Sequence, residues 1–504
     1  MRKGFGLPIV FCLFHLVISQ KNCTTIRLPK GLKLGVGSAA FQIEGAWDAA
    51  DKTPSIWDNF SRSSGVIKDG SNAQDSCKSY EYYKRDVAMV KYLGVDFYRF
   101  SISWPRVLPT GFPNKISKEG SEYYSNLIDE LLANGIEPVV TMFHWDLPQR
   151  LQNLGGWANP LIADWFEDYA DVLFDLYGDR VKTWITINEP RQMGLFGYGS
   201  NRFAPGINAH GIGEYLAAKN IVMANAKAWR LYDRKYRPKQ NGTCSITIAT
   251  DHREGITDSP DDIQAALDAM DFEVGLYSHP IFTKKGGFPD SVVRLVAEKS
   301  KEQGYLESRL PEFTEEEIEF VKGTSDFFGF NHYSTKFVSR KSYKPGMYPI
   351  PSHDDDLGAF GTLLDYTPAV VPHCTSIPWG ARKALKWVKE NCGNPDIMII
   401  ENGFGTHGGL QDNDRVTYLQ SYLLEILDAV EKDQCNVVAY TVWSLMDNFE
   451  WDSGLRVKFG IFETNYDDEK KTRTPRASAF WYKNLAATKS LDCDFKPTFK
   501  NIQF

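Results

Sequence analysis

The chain has 504 residues, a net charge of −7, 42% apolar and 24% charged residues. That balance excludes a disordered chain and argues against nucleic acid as a main partner. The length alone permits several domains, but α/β barrels with insertions also pass about 400 residues as one unit.

Arg2 and Lys3 precede an apolar run over residues 7–18, and Val17, Ile18 and Ser19 give a small-residue cleavage pattern. This predicts a signal peptide over 1–19 and a mature domain over 20–504. No later stretch is apolar enough to span a bilayer, so no membrane partner is expected. The mature chain is expected to be secreted, to the extracellular space or to a gut or vesicular lumen. Sequons at Asn22, Asn59 and Asn241 fit that route, with Asn241 in a polar K-Q-N-G-T turn. Removing Cys12 leaves an odd set of cysteines, Cys23, Cys77, Cys244, Cys374, Cys392, Cys435 and Cys493. One or two disulfides are compatible with that set, and the pairing stays open. The spacing has no metal pattern, and no metal or organic cofactor is expected.

Strand-like and helix-like runs then alternate. Residues 33–45 read as a strand, 80–93 as a helix, 95–104 as a strand and 119–134 as an amphipathic helix stopped by Gly135. A strand over 137–148 and a helix over 161–177 follow. The next strand, 181–190, reads V-K-T-W-I-T-I-N-E-P, and Pro190 ends it. Then come helix 213–236, strand 245–251, helix 260–277, strand 326–333, helix 381–391, strand 397–401, helix 414–432, strand 437–444 and helix 477–487. Eight alternating units predict one (β/α)8 TIM barrel with long βα loops. The longest piece without predicted structure, 339–375, follows strand six.

In such a barrel, polar residues at the C-terminal strand ends carry the chemistry. Those ends hold Gln42, Arg99, His144, Asn188, Glu189, Asn331, Tyr333, Glu401 and Trp443, with Glu450 and Trp451 close behind the last strand. Glu189 and Glu401 each end an apolar run. Paired carboxylates suit glycosidic cleavage, which needs a proton for the leaving oxygen and a carboxylate at the anomeric carbon. The expectation is Glu189 as acid/base and Glu401 as nucleophile. Arg99 and Tyr333 would hold Glu401 ionised, Asn331 would lie behind the site, and Asn188 would take the sugar 2-hydroxyl.

The motifs G-V-G-S-A-A-F-Q-I-E-G, F-Y-R-F-S-I-S-W-P-R, F-H-W-D-L-P-Q, T-I-N-E-P, I-I-E-N-G and W-S-L-M-D-N-F-E-W occur in this order. Through them the chain resembles glycoside hydrolase family 1, in its insect secreted branch. The resemblance implies a retaining β-glucosidase. Gln42, His144, Asn188, Trp443, Glu450 and Trp451 would then bind the non-reducing sugar. A carboxylate at Glu450 would take two hydroxyls and repel a 6-phosphate. Ile400, Leu455 and Lys458 depart from the residues usual in that family. An alternative within the fold is a thioglucosidase (myrosinase) cutting sulfate-bearing glucosinolates. It is motivated by Arg191, Lys336 and Arg202, which could face the leaving group. A non-catalytic sugar-binding homologue is a further alternative, disfavoured because both glutamates and their partners are present. The expected partner is a small-molecule glycoside, and a homodimer is compatible with this reading.

Overall fold

The computed structural model describes residues 25–362, 376–497 and 502–504. The expected signal peptide, the Asn22 sequon, Cys23 and Cys374 lie outside them. Eight strands close into a parallel barrel. They are β1 Lys33–Gly37, β2 Phe97–Ser101, β3 Glu137–Phe143, β4 Thr183–Asn188, β5 Thr243–Ala249, β6 Phe328–Asn331, β7 Ile397–Asn402 and β8 Val437–Trp443. Each pairs with its successor, and β8 closes on β1 with Trp443 opposite Gly37.

Period-two alternation sorts the strand residues into two cores. Val140, Trp184 and Ile399 join the shell under the helices. Their neighbours Val139, Ile185 and Ile400 pack with Phe97 and Ala439 inside the barrel. Trp184 meets Phe174 of the helix Ile162–Tyr177 edge-on, with ring centroids 5.2 Å apart. Burying such a ring contributes about 2–3 kcal/mol. Gly35 is required by close packing, since a Cβ there would lie 2.1 Å from the Phe97 ring.

The observed elements differ from the expected ones in particular places. The first strand stops at Gly37, and Gln42 lies on a short helix, Ala40–Ile43. The cause is local: Ser101 Oγ accepts the Ala40 N–H at 2.7 Å, turning the chain away from the ladder. The stretch 260–277 is not one helix. Pro260–Met270 passes into a wide π-helical turn, Asp271–Gly275, and then Leu276–Phe282. The helix Gly213–Leu231 likewise ends in a π turn, Tyr232–Tyr236.

The piece over 339–375 is not structureless in its described part. Ser352 caps a helix His353–Leu357 by accepting the Asp355 N–H at 3.1 Å. Asp356 pairs with Arg309 and accepts from Tyr215 OH at 2.7 Å. Strand Phe360–Thr362 then pairs antiparallel with Thr335–Ser339, which itself pairs with His252–Gly255. This small sheet stands on the rim beyond β5 and β6.

Cys77, Cys244, Cys392 and Cys435 are free and buried, and Cys493 is disulfide-bonded. Asn59 and Asn241 are exposed. Among the described residues no helix is long and apolar enough to cross a membrane.

Candidate active site

The site is organised around Arg99, which is fully buried on β2. A buried guanidinium needs partners for every face. Its Nε donates to Thr141 Oγ1 at 2.8 Å, Nη1 to Glu401 Oε1, and Nη2 to Asn188 Oδ1 at 2.8 Å. His144 Nδ1 lies 3.3 Å from Nη2. One side chain therefore ties the tips of β3, β4 and β7 together.

Glu401 ends β7, and Tyr333 OH donates to its Oε2 at 2.6 Å. Both carboxylate oxygens are thus held, one by a cation and one by a phenol, which stabilises the negative charge. The chain leaves this position through Gly403, where a Cβ would lie 2.0 Å from the Trp443 carbonyl oxygen.

Glu189 follows β4 with a positive φ of 46°. For a non-glycine residue this conformation costs about 1 kcal/mol. It is held by the Glu189 N–H donating to Thr247 O at 2.9 Å. Asn331 Nδ2 donates to Glu189 Oε1 at 2.7 Å and to Asn188 Oδ1 at 3.2 Å. Burial, and then the charge of Glu401, push the Glu189 carboxyl from 4.5 up to about 8. The two glutamates therefore sit in opposite environments: one is clamped by donors, the other is desolvated next to a like charge.

Both line one cleft, together with His144, Asn188, Tyr333, Trp443, Glu450 and Trp451. The His144 ring lies near-parallel to those of Trp443 and Trp451, with centroids 5.8 Å away in each case. Gln42 does not line the cleft. It lies behind Glu450, donating to Asn448 Oδ1 and Phe449 O at 2.9 Å and to Glu450 Oε2 at 3.4 Å, while its own Oε1 is buried without a partner. Burial, then the charges of Glu401 and Asp452, raise the Glu450 carboxyl to about 8. Arg99 and Asn331 likewise sit beneath the lining.

The expected leaving-group cations behave differently from one another. Arg191 is almost buried and is paired with Glu273, Nη2 to Oε2, at 3.2 Å. Arg253 doubly engages the same Glu273. Burial works to raise Glu273, but Arg191 and Arg253 overcome it and hold the carboxyl at about 2. Arg202 pairs with Asp452 at 3.3 Å. Lys336 also lines the cleft, and no described residue hydrogen-bonds or pairs with its ammonium. Burial, then Arg253, lower it to about 8.

The sequence reading missed several lining residues. Trp145, Phe196, Phe203 and Phe459 widen the aromatic wall, and Asp251 lies in the lining past β5. Asp251 was the last residue of the strand expected over 245–251, so the strand-tip rule could have found it.

Residues 24–491 match the family model for glycosyl hydrolase family 1. The chain is 44% identical over 472 residues to myrosinase 1 of Brevicoryne brassicae, covering 92% of this chain and 99% of that protein. It is 39% identical over 469 residues to the cytosolic beta-glucosidase of Homo sapiens, with 92% and 99% covered. The solved structure of an aphid myrosinase superposes with a TM-score of 0.87 at 43% identity, over 92% of this chain and 99% of that one. A closed eight-stranded barrel with two buried glutamates at its mouth, together with these matches, establishes that the chain belongs to glycosyl hydrolase family 1 and is a glycoside hydrolase.

Proposed function

We propose that the enzyme hydrolyses the terminal non-reducing β-D-glucosyl residue of oligosaccharides or plant glucosides, with retention. Glu401 attacks the anomeric carbon while Glu189 gives its proton to the leaving oxygen. The glycosyl–Glu401 ester is then opened by water, whose proton returns to Glu189. Forming the ester removes the Glu401 charge, which lowers the affinity of Glu189 for its proton and suits it to act as base. The observation that carries this reading is the contrast between the glutamates: Arg99 and Tyr333 hold Glu401, whereas burial and Glu401 keep Glu189 protonated to about 8.

Asn188 is the residue for the sugar 2-hydroxyl. Its Oδ1 is engaged by Arg99 and Asn331, which fixes the amide plane. Trp443, Trp451 and His144 form the sugar platform, and Glu450, backed by Gln42, takes further hydroxyls. The retention of both glutamates speaks against a non-catalytic binding protein. Residues 20–504 would act as one secreted unit, and the exposure of Asn59 and Asn241 supports glycans at both.

Lys336, with no ion-pair partner among the described residues, favours a second reading, hydrolysis of glucosinolates, whose sulfate it would meet in the cleft. The relative from Brevicoryne brassicae is named a myrosinase. Arg191 and Arg202 support this reading less, because carboxylates already engage them. A substrate panel of an aryl β-glucoside, cellobiose, a galactoside, a fucoside and sinigrin separates the readings. Fastest turnover of O-glucosides, unchanged in Lys336→Ala, supports the first. Sinigrin turnover that falls selectively in Lys336→Ala supports the second. A protein that cleaves none of them overturns both.

A further inference from the structure

Seven of the eight barrel strands deliver a site residue recognised from sequence; β5 does not. Its tip carries Asp251, two residues past the last strand residue, Ala249, and the side chain lines the cleft. Asp251 Oδ1 accepts the N–H groups of Tyr333 and Ser334, both at 3.0 Å, and Oδ2 accepts from Ser334 Oγ at 3.4 Å. From the other side, Tyr418 OH and Tyr422 OH donate to the Tyr333 carbonyl at 3.1 and 3.4 Å. The turn bearing Tyr333 is therefore gripped at both its N–H and its C=O. From that turn the phenol reaches Glu401 Oε2 at 2.6 Å.

The electrostatics point the same way. Burial works to raise the Asp251 carboxyl, but His332, Arg253 and the two backbone N–H groups overcome it and hold it below its ordinary value. His332 is itself held below the ordinary histidine value by burial, so it does not cancel the Asp251 charge at neutral pH. Arg253 is committed to Glu273. Lys336 also feels Asp251. On the other side, Glu189 faces Glu401, Asp251 and Arg99, and it interacts with Glu450 and Tyr333.

We propose that Asp251 is a positioning residue for the hydrolysis, serving both as the clamp on the Tyr333 turn and as a fixed negative charge in the cleft it shares with Glu189. It touches neither reacting atom and acts through two groups that do. This rests on the assignment of Glu189 as proton donor and Glu401 as nucleophile.

Two variants separate the parts. Asn at this position can still accept both N–H groups but carries no charge, whereas Ala loses both properties. The pH profile of kcat/KM on an aryl β-glucoside is measured for wild type, Asp251→Asn and Asp251→Ala, each with and without Tyr333→Phe. Thermal melting of each variant reports folding. In Asp251→Asn the basic limb moves to lower pH by about half a unit with the melting temperature held. In Asp251→Ala the loss caused by Tyr333→Phe shrinks from at least about tenfold to less than about threefold, because the phenol is no longer held in place. A basic limb unmoved in Asp251→Asn, with a full-size Tyr333→Phe loss in Asp251→Ala, overturns the proposal. A parallel Glu189→Gln enzyme loses the basic limb altogether if Glu189 is the acid, so failure of that assignment is recognised separately.

Discussion

Replacing Glu401 with Gln tests how the cleft sets the proton affinity of Glu189. The substitution keeps the shape of the side chain and deletes its charge. Glu189 stands at about 8 because of burial first and the Glu401 charge second. Burial survives the substitution; the charge does not. Arg99, deprived of its carboxylate partner, then acts on Glu189 in the same downward direction. The Glu189 pKa should fall by on the order of one to two units, about 1.4 kcal/mol for each. It should remain above the ordinary 4.5, because the side chain stays desolvated. The assay is a carbon NMR titration of glutamate labelled at Cδ, comparing wild type, Glu401→Gln and Glu189→Gln to assign the resonance. A Glu189 titration that stays near 8 in Glu401→Gln would refute the electrostatic coupling. The same coupling predicts a basic limb near 8 in the wild-type kcat/KM profile.

Tyr333→Phe removes the 2.6 Å hydrogen bond to Glu401 and should lower kcat/KM by about 10- to 100-fold, read in steady-state kinetics. Arg99→Met leaves the Glu401 carboxylate buried without its cation, so unfolding titrations should show a loss of about 3 kcal/mol or more, along with loss of turnover. Glu189→Gln acts on stability with the opposite sign. A carboxyl raised from 4.5 to about 8 contributes stability that is fully present below 4.5 and lost as pH rises through 8. Deleting it should make the variant more stable than wild type above that pH, by on the order of 5 kcal/mol, measured as a melting-temperature difference that vanishes in acid.

What could be read from the chain followed from strand geometry. Glu189 and Glu401 each end a run of buried β-branched residues, and a closed parallel barrel sends such ends to one mouth. Arg99 and Tyr333 were recognised as partners of Glu401, and the structure joins all three. Long-range pairing was less accessible. Arg191 looked free in sequence, yet Glu273, on a π turn inside a stretch read as plain helix, binds it. Asp251 ended the strand expected over 245–251 but was not collected with the other strand tips; in the structure β5 stops at Ala249 and the chain continues into the rim strand His252–Gly255. The acidic run after Ser352 fell within the piece for which no structure was predicted. It is a capped helix, and Asp356 within it is buried against Arg309.

The most direct measurement is covalent labelling of the purified enzyme with a fluorosugar inactivator, followed by peptide mapping. The account predicts stoichiometric loss of activity with the label on Glu401 alone. A label on any other residue, or inactivation without a covalent adduct, would contradict it.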